Sequence, residues 1–94
     1  MIIGFATKDT EAFAAGEFVR AFEGFRQQAV KRLLILDAAT SLNDLRQLPS
    51  NRLEALRGDR AGQFSIRINQ QWRLCFRWED GATGPTDVEI VDYH

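Results

Sequence analysis

Arginine side chains and a closing Asp-Tyr-His tripeptide are the features of this 94-residue sequence with the clearest chemical potential. Seven arginines but only two acidic residues lie between Arg46 and Arg77, although the whole chain has a formal net charge of -1. The planar guanidinium fork of arginine suits phosphate oxygens and stacks on nucleobases. The sequence therefore predicts a local anion-binding face. On charge alone, a solvated sheet face that is salt-bridged to the acidic flanks explains the pattern equally well.

The tripeptide Asp92, Tyr93 and His94 would bring proton-transfer groups to that basic face. Cleavage of RNA by its own 2′-hydroxyl needs a base for that hydroxyl, cations for the charge on phosphorus, and an acid for the leaving 5′-oxygen. Arginines together with an imidazole, which accepts and donates protons near neutral pH, favour this phosphodiester chemistry. Each member also has a simpler interpretation. His94 could be a frayed terminal residue with no function, and Tyr93 could pack its ring at a sheet edge. Asp92 could be a solvated or salt-bridged carboxylate.

The first half of the chain has the patterns of helices. Residues Met1–Phe5 are apolar and predict a first strand. A short helix is predicted next, with Asp9 or Thr10 as N-cap and Gly16 as its stop.

A longer helix is predicted after Gly24, in the stretch FRQQAVKRLLILDAAT. Its apolar residues recur at spacings of four, four and three, which is the pattern of one buried helix face. This stripe comprises Phe25, Ala29, Leu33 and Leu36, widened by Val30 and Leu34. One further helical turn is predicted between Ser41 and Ser50, where Pro49 limits any continuation.

The second half alternates with the period of two that is typical of strands. Residues 64–68 and 72–78 predict an antiparallel hairpin around the turn Asn69–Gln71. Arg52–Arg57 predicts a preceding strand with a turn at residues 58–62, and a last strand follows the loop EDGATGPT. Helices followed by a strand meander indicate an α+β fold: two N-terminal helices packed on a small, mostly antiparallel sheet, in a single domain spanning residues 1–94.

Strand alternation distributes the side chains between the two sheet faces. Trp72 and Trp78 share the parity of the apolar residues that face the helices, and we interpret both as core. Arg67, Arg73 and Arg77 then share the opposite face, which we expect to be one open surface. Four residues of neighbouring strands could also reach it: Arg52, Glu54, Glu89 and Tyr93. An Arg73–Glu89 pair across the sheet is the structural alternative to a binding role for that arginine.

Composition excludes several classes of protein. A hydrophobic fraction of 45% and a charged fraction of 27% are typical of globular domains. The single cysteine, Cys75, excludes an internal disulfide framework and a multi-cysteine zinc site, and its apolar neighbours predict buried packing. One histidine with scattered carboxylates predicts no metal site and no cofactor. Without a long apolar stretch or a basic leader, we expect a cytoplasmic protein with no membrane partner.

Two segments of the sequence closely resemble the HigB family of the RelE/ParE toxin superfamily. They are NRLEALRGDRAGQFSIRINQQWRLCFRWEDG, residues 51–81, and the ending VEIVDYH. The stretch LDAATSLNDLR in the first half fits that family as well, so the resemblance covers nearly the whole chain. It implies two helices against a small antiparallel sheet and a ribosome-dependent endoribonuclease that cuts translated mRNA. It also implies neutralisation by a HigA-like helix-turn-helix antitoxin, through which the toxin reaches operator DNA.

The resemblance also implies roles for particular residues. The family's C-terminal Asp-Tyr-His stands here as Asp92, Tyr93 and His94, with His94 as general base or acid and Asp92 orienting it. Arg73 matches the arginine of a Trp-Arg strand motif. Tyr93 would hydrogen-bond the scissile phosphate or stack on a base.

Two positions depart from the family pattern. Arg57 stands where many relatives have lysine, which keeps the charge but changes a point donor into a planar fork. Glu54 stands where one branch has a catalytic histidine, so the base is Glu54 itself, Asp92 or His94.

Together with Arg73, Arg57 would stabilise the pentacoordinate phosphate. The remaining arginines of the basic region would bind RNA: Arg52, Arg60, Arg67 and Arg77.

Two other functions share this fold and stay open. ParE-type toxins of the superfamily poison DNA gyrase without nuclease activity, and fold does not determine function. A catalytically inactive module that only docks an antitoxin or RNA is the other alternative, with Glu54 marking the lost activity.

Overall fold

The computed structural model describes residues 1–92, with helices covering one face of a four-stranded sheet. The helices are α1 (Lys8–Ala14), α2 (Arg26–Ala38) and α3 (Leu42–Arg46), with 3₁₀ turns at Arg20–Phe25, Pro49–Asn51 and Gly58–Arg60. The strands are β1 (Glu54–Ala55), β2 (Phe64–Arg67), β3 (Trp72–Arg77) and β4 (Thr86–Asp92). Neighbouring strands pair antiparallel in the order β1-β2-β3-β4, which confirms the predicted fold class.

Helix α1 begins after Thr7, whose Oγ1 accepts a hydrogen bond from the Thr10 backbone nitrogen at 3.2 Å. The predicted N-cap, Asp9 or Thr10, is therefore wrong. Thr10 is instead buried in the first turn, where its hydroxyl accepts a hydrogen bond from the Ile90 backbone nitrogen of β4. The helix ends two residues before Gly16, which has a φ of +94° and adopts this left-handed conformation without a Cβ clash.

Helix α2 confirms the predicted long helix and most of its buried stripe. Ala29, Leu33 and Leu36 are buried, but the side chain of Leu34 is 65% exposed. The prediction that Leu34 widens the stripe is wrong, because five steps of about 100° put Leu34 roughly 140° around the helix from Ala29. Helix α3 confirms the predicted single turn. No helix within residues 1–92 is long and apolar enough to cross a bilayer.

Strand β1 is shorter than the predicted strand over Arg52–Arg57. Arg52 has a φ of +46°, which interrupts the extended backbone before Glu54. At the other end, Gly58 has a φ of +64° and starts the 3₁₀ turn that leads to β2. Only Glu54 and Ala55 remain paired with β2.

The prediction of a first strand over Met1–Phe5 is also wrong. This segment runs parallel to β4 but forms only an isolated bridge, between Phe5 and Val88, with a further hydrogen bond from the Ile3 nitrogen to the Pro85 oxygen. Asp87 lies between Pro85 and Val88 and has a φ of +52°. This conformation breaks the regular pleat that a ladder of paired strands requires.

The core lies between the helices and one sheet face. Its centre comprises side chains at 0–1% exposure from both layers: Phe13, Ala29, Leu36, Leu45, Ile66, Leu74, Phe76 and Val88. Trp72 and Trp78 are partly buried and pack against this core, which confirms their predicted role. The Trp72 ring stacks on Phe25 with centroids 4.7 Å apart and so joins β3 to the start of α2.

Candidate functional site

The sheet face turned away from the helices carries a row of four directly paired residues, one from each strand. The register pairs Glu54 with Ser65, Ser65 with Cys75, and Cys75 with Glu89. Directly paired residues in antiparallel strands put their side chains on the same face. The predictions that Glu54 and Glu89 reach this face are therefore confirmed.

Arginines occupy positions on either side of that row. Arg67 and Arg73 are paired directly across β2 and β3, and Arg73 is paired with Val91 of β4. Arg77 lies four residues further along β3 and so shares the same face by strand alternation. This confirms that the three arginines share one face. We call this surface, with its arginines and the Glu54–Glu89 row, the arginine face.

The arginine face is not open at its centre, so that part of the prediction is wrong. Ser65 and Cys75 are both 0% exposed. Arg73 donates from Nε to the Ser65 hydroxyl at 2.9 Å. From the turn before β2, Arg60 reaches Glu89 of β4, with Nη1 and Oε1 3.4 Å apart. Long charged side chains therefore lie over the small residues in the middle of the sheet and exclude water from them.

Cys75 is a structural thiol, as predicted from its neighbours. Burial raises its pKa from 9.0 to about 11, and the nearby Glu89 carboxylate acts in the same direction, against the guanidinium groups of Arg60 and Arg73. A buried thiol that holds its proton at neutral pH is a poor nucleophile.

We expect the folded protein to lose stability above pH 9 because of this thiol. The unfolded thiol ionises near pH 9 while the folded one keeps its proton until about pH 11. The contribution to the free energy of unfolding is therefore full below pH 9 and falls as the pH rises towards 11. Urea unfolding at pH 8 and pH 10.5 should show that the wild type loses about 2 kcal/mol more than Cys75→Ala. Equal losses in the two proteins would contradict this assignment.

Arg73 connects three parts of the site. Besides Ser65, its guanidinium donates from Nη2 to the Arg52 carbonyl at 2.8 Å, and its Nη1 lies 3.7 Å from Glu54 Oε1. The Arg73 side chain is 16% exposed, whereas that of Glu54 is 59% exposed. The sequence alternative of an Arg73–Glu89 pair is wrong, because Glu89 is paired with Arg60.

The other arginines differ in how they are held. Arg77 forms an ion pair with Asp87 at 3.5 Å, and Arg67 donates to the Asn69 carbonyl. The side chains of Arg52 and Arg57, which are exposed, have no ion pair within the described part of the chain. Of the six arginines predicted for the site, these two are exposed and the other four are partly buried, so Arg52 and Arg57 are the members most accessible to an incoming anion.

Asp92 lies at the end of β4 but on the helix side of the sheet, so the prediction that the tripeptide brings this carboxylate to the basic face is wrong for Asp92. Its direct partner across the strands is Trp72, and its Oδ2 accepts a hydrogen bond from the Gln71 side chain at 2.8 Å. The neighbouring Val91 is the residue that shares the row of Arg73. The other two predicted members of the tripeptide, Tyr93 and His94, lie outside the described residues, so their roles remain predictions.

Sequence reasoning missed two polar residues that hold the site together, Ser65 and Asn51. Ser65 lies on the same strand face as Arg67, while the alternate residues of that strand are apolar. This pattern could have identified it as a residue of the arginine face. Asn51 is fully buried, where its side-chain nitrogen donates to the Leu45 carbonyl and its oxygen accepts from Arg32. No local sequence pattern indicates that Asn51 is buried, because its hydrogen-bond partners lie in two other elements, α2 and α3. Among residues 1–92, no group of three or more metal-ligating side chains clusters.

The fold is that of YoeB/ParE-type toxins. A YoeB/ParE toxin from Agrobacterium tumefaciens superposes with a TM-score of 0.56 at 16% identity, over 99% of this chain and 98% of that one. A YoeB dimer from Staphylococcus aureus gives 0.55 at 20% identity, over 99% and 94% of the two chains. A YoeB-YefM complex from the same species gives 0.54 at 19% identity, over 100% and 95%. At such identities the likeness concerns the fold alone.

Sequence comparison gives the family. Residues 11–94 match the family described as the RelE-like toxin of the type II toxin-antitoxin system HigB, and the chain belongs to this HigB-like family. Over 63 residues it is 53% identical to Toxin HigB-1 of Vibrio cholerae, covering 67% of this chain and 66% of that toxin. Over 64 residues it is 38% identical to Endoribonuclease HigB of Proteus vulgaris, covering 67% and 65%. The matched part thus spans slightly less than two thirds of these relatives.

Proposed function

We propose that this chain is a ribosome-dependent endoribonuclease that cleaves mRNA and so inhibits translation, as the toxin of a type II toxin-antitoxin pair. The observation that carries the proposal is the arginine face, where paired Arg67 and Arg73 lie beside a row that contains Glu54 and Glu89. Membership of the HigB-like family and the name of the Proteus vulgaris relative, Endoribonuclease HigB, support it.

In the proposed reaction, the 2′-oxygen attacks the adjacent phosphorus and the bond from phosphorus to the 5′-oxygen breaks. The products are a 2′,3′-cyclic phosphate and a 5′-hydroxyl, and the reaction involves no oxidation or reduction. His94 acts as the base for the 2′-hydroxyl or as the acid for the 5′-oxygen, and Asp92 orients it. Glu54 is the alternative base, since its side chain is 59% exposed and its carboxylate lies beside Arg73. The reaction as proposed uses no metal ion.

The arginines supply positive charge in two ways. Arg57 and Arg73 stabilise the pentacoordinate phosphate, where the loss of one donor costs on the order of 100-fold in rate. A second group of arginines binds the RNA backbone. Two of them, Arg60 and Arg77, must first give up their ion pairs with Glu89 and Asp87 in order to bind phosphate. The members of this group are Arg52, Arg60, Arg67 and Arg77. Tyr93 contacts the scissile phosphate or stacks on a base.

The proposed partners follow from the same reaction. The ribosome presents the translated mRNA and supplies the placement that a protein of 94 residues does not build for itself. A HigA-like helix-turn-helix antitoxin neutralises the toxin and links it to operator DNA. We propose that the protein acts in the cytoplasm, where these partners lie. An adjacent reading frame that encodes a short helix-turn-helix protein would support the pairing.

The test is cleavage of mRNA on purified ribosomes. We expect new 5′-hydroxyl ends inside the translated region when ribosomes are present, no cleavage of the same mRNA alone, and unchanged cleavage after chelation of divalent ions during a short reaction with preformed complexes. Mapping of the 5′ ends by primer extension gives the positions. Cleavage of free mRNA at the same rate would contradict ribosome dependence.

The alternatives predict different products. A gyrase poison would produce double-strand DNA breaks with gyrase and no mRNA ends. A binding module would associate with ribosomes without any cut product. Either result would overturn the nuclease proposal.

A further inference from the structure

The turn that leads from the helices into β1 is held by distant side chains at two consecutive residues. Asn51 donates to the Leu45 carbonyl at 3.0 Å and accepts from Arg32 Nη1 at 2.7 Å. The next residue, Arg52, has φ 46° and ψ 53°, and its carbonyl accepts from Arg73 Nη2 at 2.8 Å. The backbone path into the candidate site is therefore set by contacts from α2, α3 and β3.

The conformation of Arg52 is one that a residue with a side chain rarely adopts. In the left-handed region the Cβ atom crowds the backbone, so a non-glycine residue stays there only where its surroundings hold it. Arg73 provides that hold from a nearly buried position, with 16% of its side chain exposed. Its Nε is bonded to Ser65 in the middle of the sheet while its Nη2 is bonded to the turn.

The residue that this arrangement places is Glu54. It lies two positions after Arg52, pairs with Ser65 across the strands, and has its carboxylate 3.7 Å from Arg73 Nη1. Two of the three guanidinium nitrogens of Arg73 are thus bonded to protein, and the third is the one beside Glu54. If the first two bonds were lost, Arg52 would relax to a favoured backbone region and carry Glu54 away from the arginine face.

We propose that Arg73 is a positioning residue, which holds the left-handed turn at Arg52 and thereby fixes Glu54 over the arginine face. As a statement about catalysis, this inference rests on the proposed nuclease function. As a statement about the turn, it stands without that function. A role for Arg73 confined to phosphate contact through Nη1 would not involve Arg52.

The decisive experiment compares glycine with alanine at position 52 after Arg73 has been removed. Both substitutions delete the Arg52 guanidinium, but only glycine adopts the left-handed conformation without crowding. In the Arg73→Gln background, we expect Arg52→Gly to give a kcat about fivefold higher than Arg52→Ala, since glycine keeps the turn in place without the hold. With Arg73 present, the two variants should differ less, and the loss of the position-52 cation should raise KM equally in both.

Equal kcat values for the two double variants would overturn the positioning role and leave Arg73 with a phosphate contact alone. Should Arg73→Gln fail to fold, Ser65→Ala replaces it in the comparison. This substitution removes the hydroxyl that accepts the hydrogen bond from Arg73 Nε. The same order of glycine over alanine is then expected, with a smaller ratio.

A second measurement requires no nuclease activity. The Leu56 amide bonds to the Gln63 carbonyl directly after β1, while Leu74 and Ile90 are paired in the middle of the sheet. In Arg73→Gln, hydrogen exchange at Leu56 should become at least about tenfold faster relative to Leu74. Unchanged relative exchange would overturn the inference. If the wild-type protein cleaves no RNA on ribosomes, the proposed function is overturned, and faster exchange in Arg73→Gln would still support the role of Arg73 at the turn.

Discussion

Replacement of His94 by alanine is expected to lower kcat for ribosome-dependent cleavage by about 10²–10⁴-fold, the contribution typical of a positioned general acid or base. The reason is chemical: the 2′-hydroxyl must lose a proton and the 5′-oxygen must gain one, and His94 is the only imidazole in the sequence. Single-turnover cleavage of mRNA in preformed ribosome complexes measures this effect apart from binding.

The variant should bind these complexes with nearly unchanged affinity, because the binding charge comes from arginines. Added imidazole should restore part of the rate at neutral pH. Asp92→Asn should have a smaller effect, because an orienting carboxylate acts through His94. A His94→Ala protein that keeps the full rate would remove His94 from the mechanism and leave Glu54 as the leading base.

The second large effect concerns the fold, where Phe13→Ala is expected to lower the free energy of unfolding by about 3–5 kcal/mol. Phe13 is 1% exposed, packs edge-on against Phe22 with centroids 5.4 Å apart, and lies under the Arg26 guanidinium, 4.9 Å from the ring centre. Its removal leaves a cavity between α1 and the start of α2. The free energy of unfolding of a small domain is roughly 5–15 kcal/mol, so this variant should be close to losing its folded state.

The same substitution at Phe18 is the matched control. Phe18 is 74% exposed, so Phe18→Ala should change the free energy of unfolding by no more than about 0.5 kcal/mol. Urea titration followed by tryptophan fluorescence measures both variants, since Trp72 packs 5.9 Å from Phe22. Equal effects at the two positions would contradict the placement of Phe13 in the core.

The arrangement of the sheet was predictable because strand alternation is a local property. A hairpin around Asn69–Gln71, with Arg67 and Arg73 on one face, follows from period two alone, and the direct pairing of these arginines confirms it. Helix α2 was predictable for the same reason. Its one error, Leu34, came from extending the apolar stripe beyond the angle that the sheet covers.

The details of the site were not predictable from local pattern. The hydrogen bond that makes Thr10 an interior residue comes from Ile90, 80 positions away, and the bond that holds the left-handed turn joins Arg73 to Arg52, 21 positions apart. Ser65 and Cys75 are buried on a nominally polar face because long charged side chains lie across them.

By itself, the order of residue types determined that this chain has helices before an antiparallel sheet, and that the arginines of β2 and β3 share the face away from the core. Only the tertiary structure decided which guanidinium groups are committed to protein, which remain exposed, and where Glu54 lies among them. Periodicity acts between neighbours in sequence and can be read directly. Hydrogen bonds and burial depend on residues that meet only when the chain has folded, so these properties exist in the folded molecule alone.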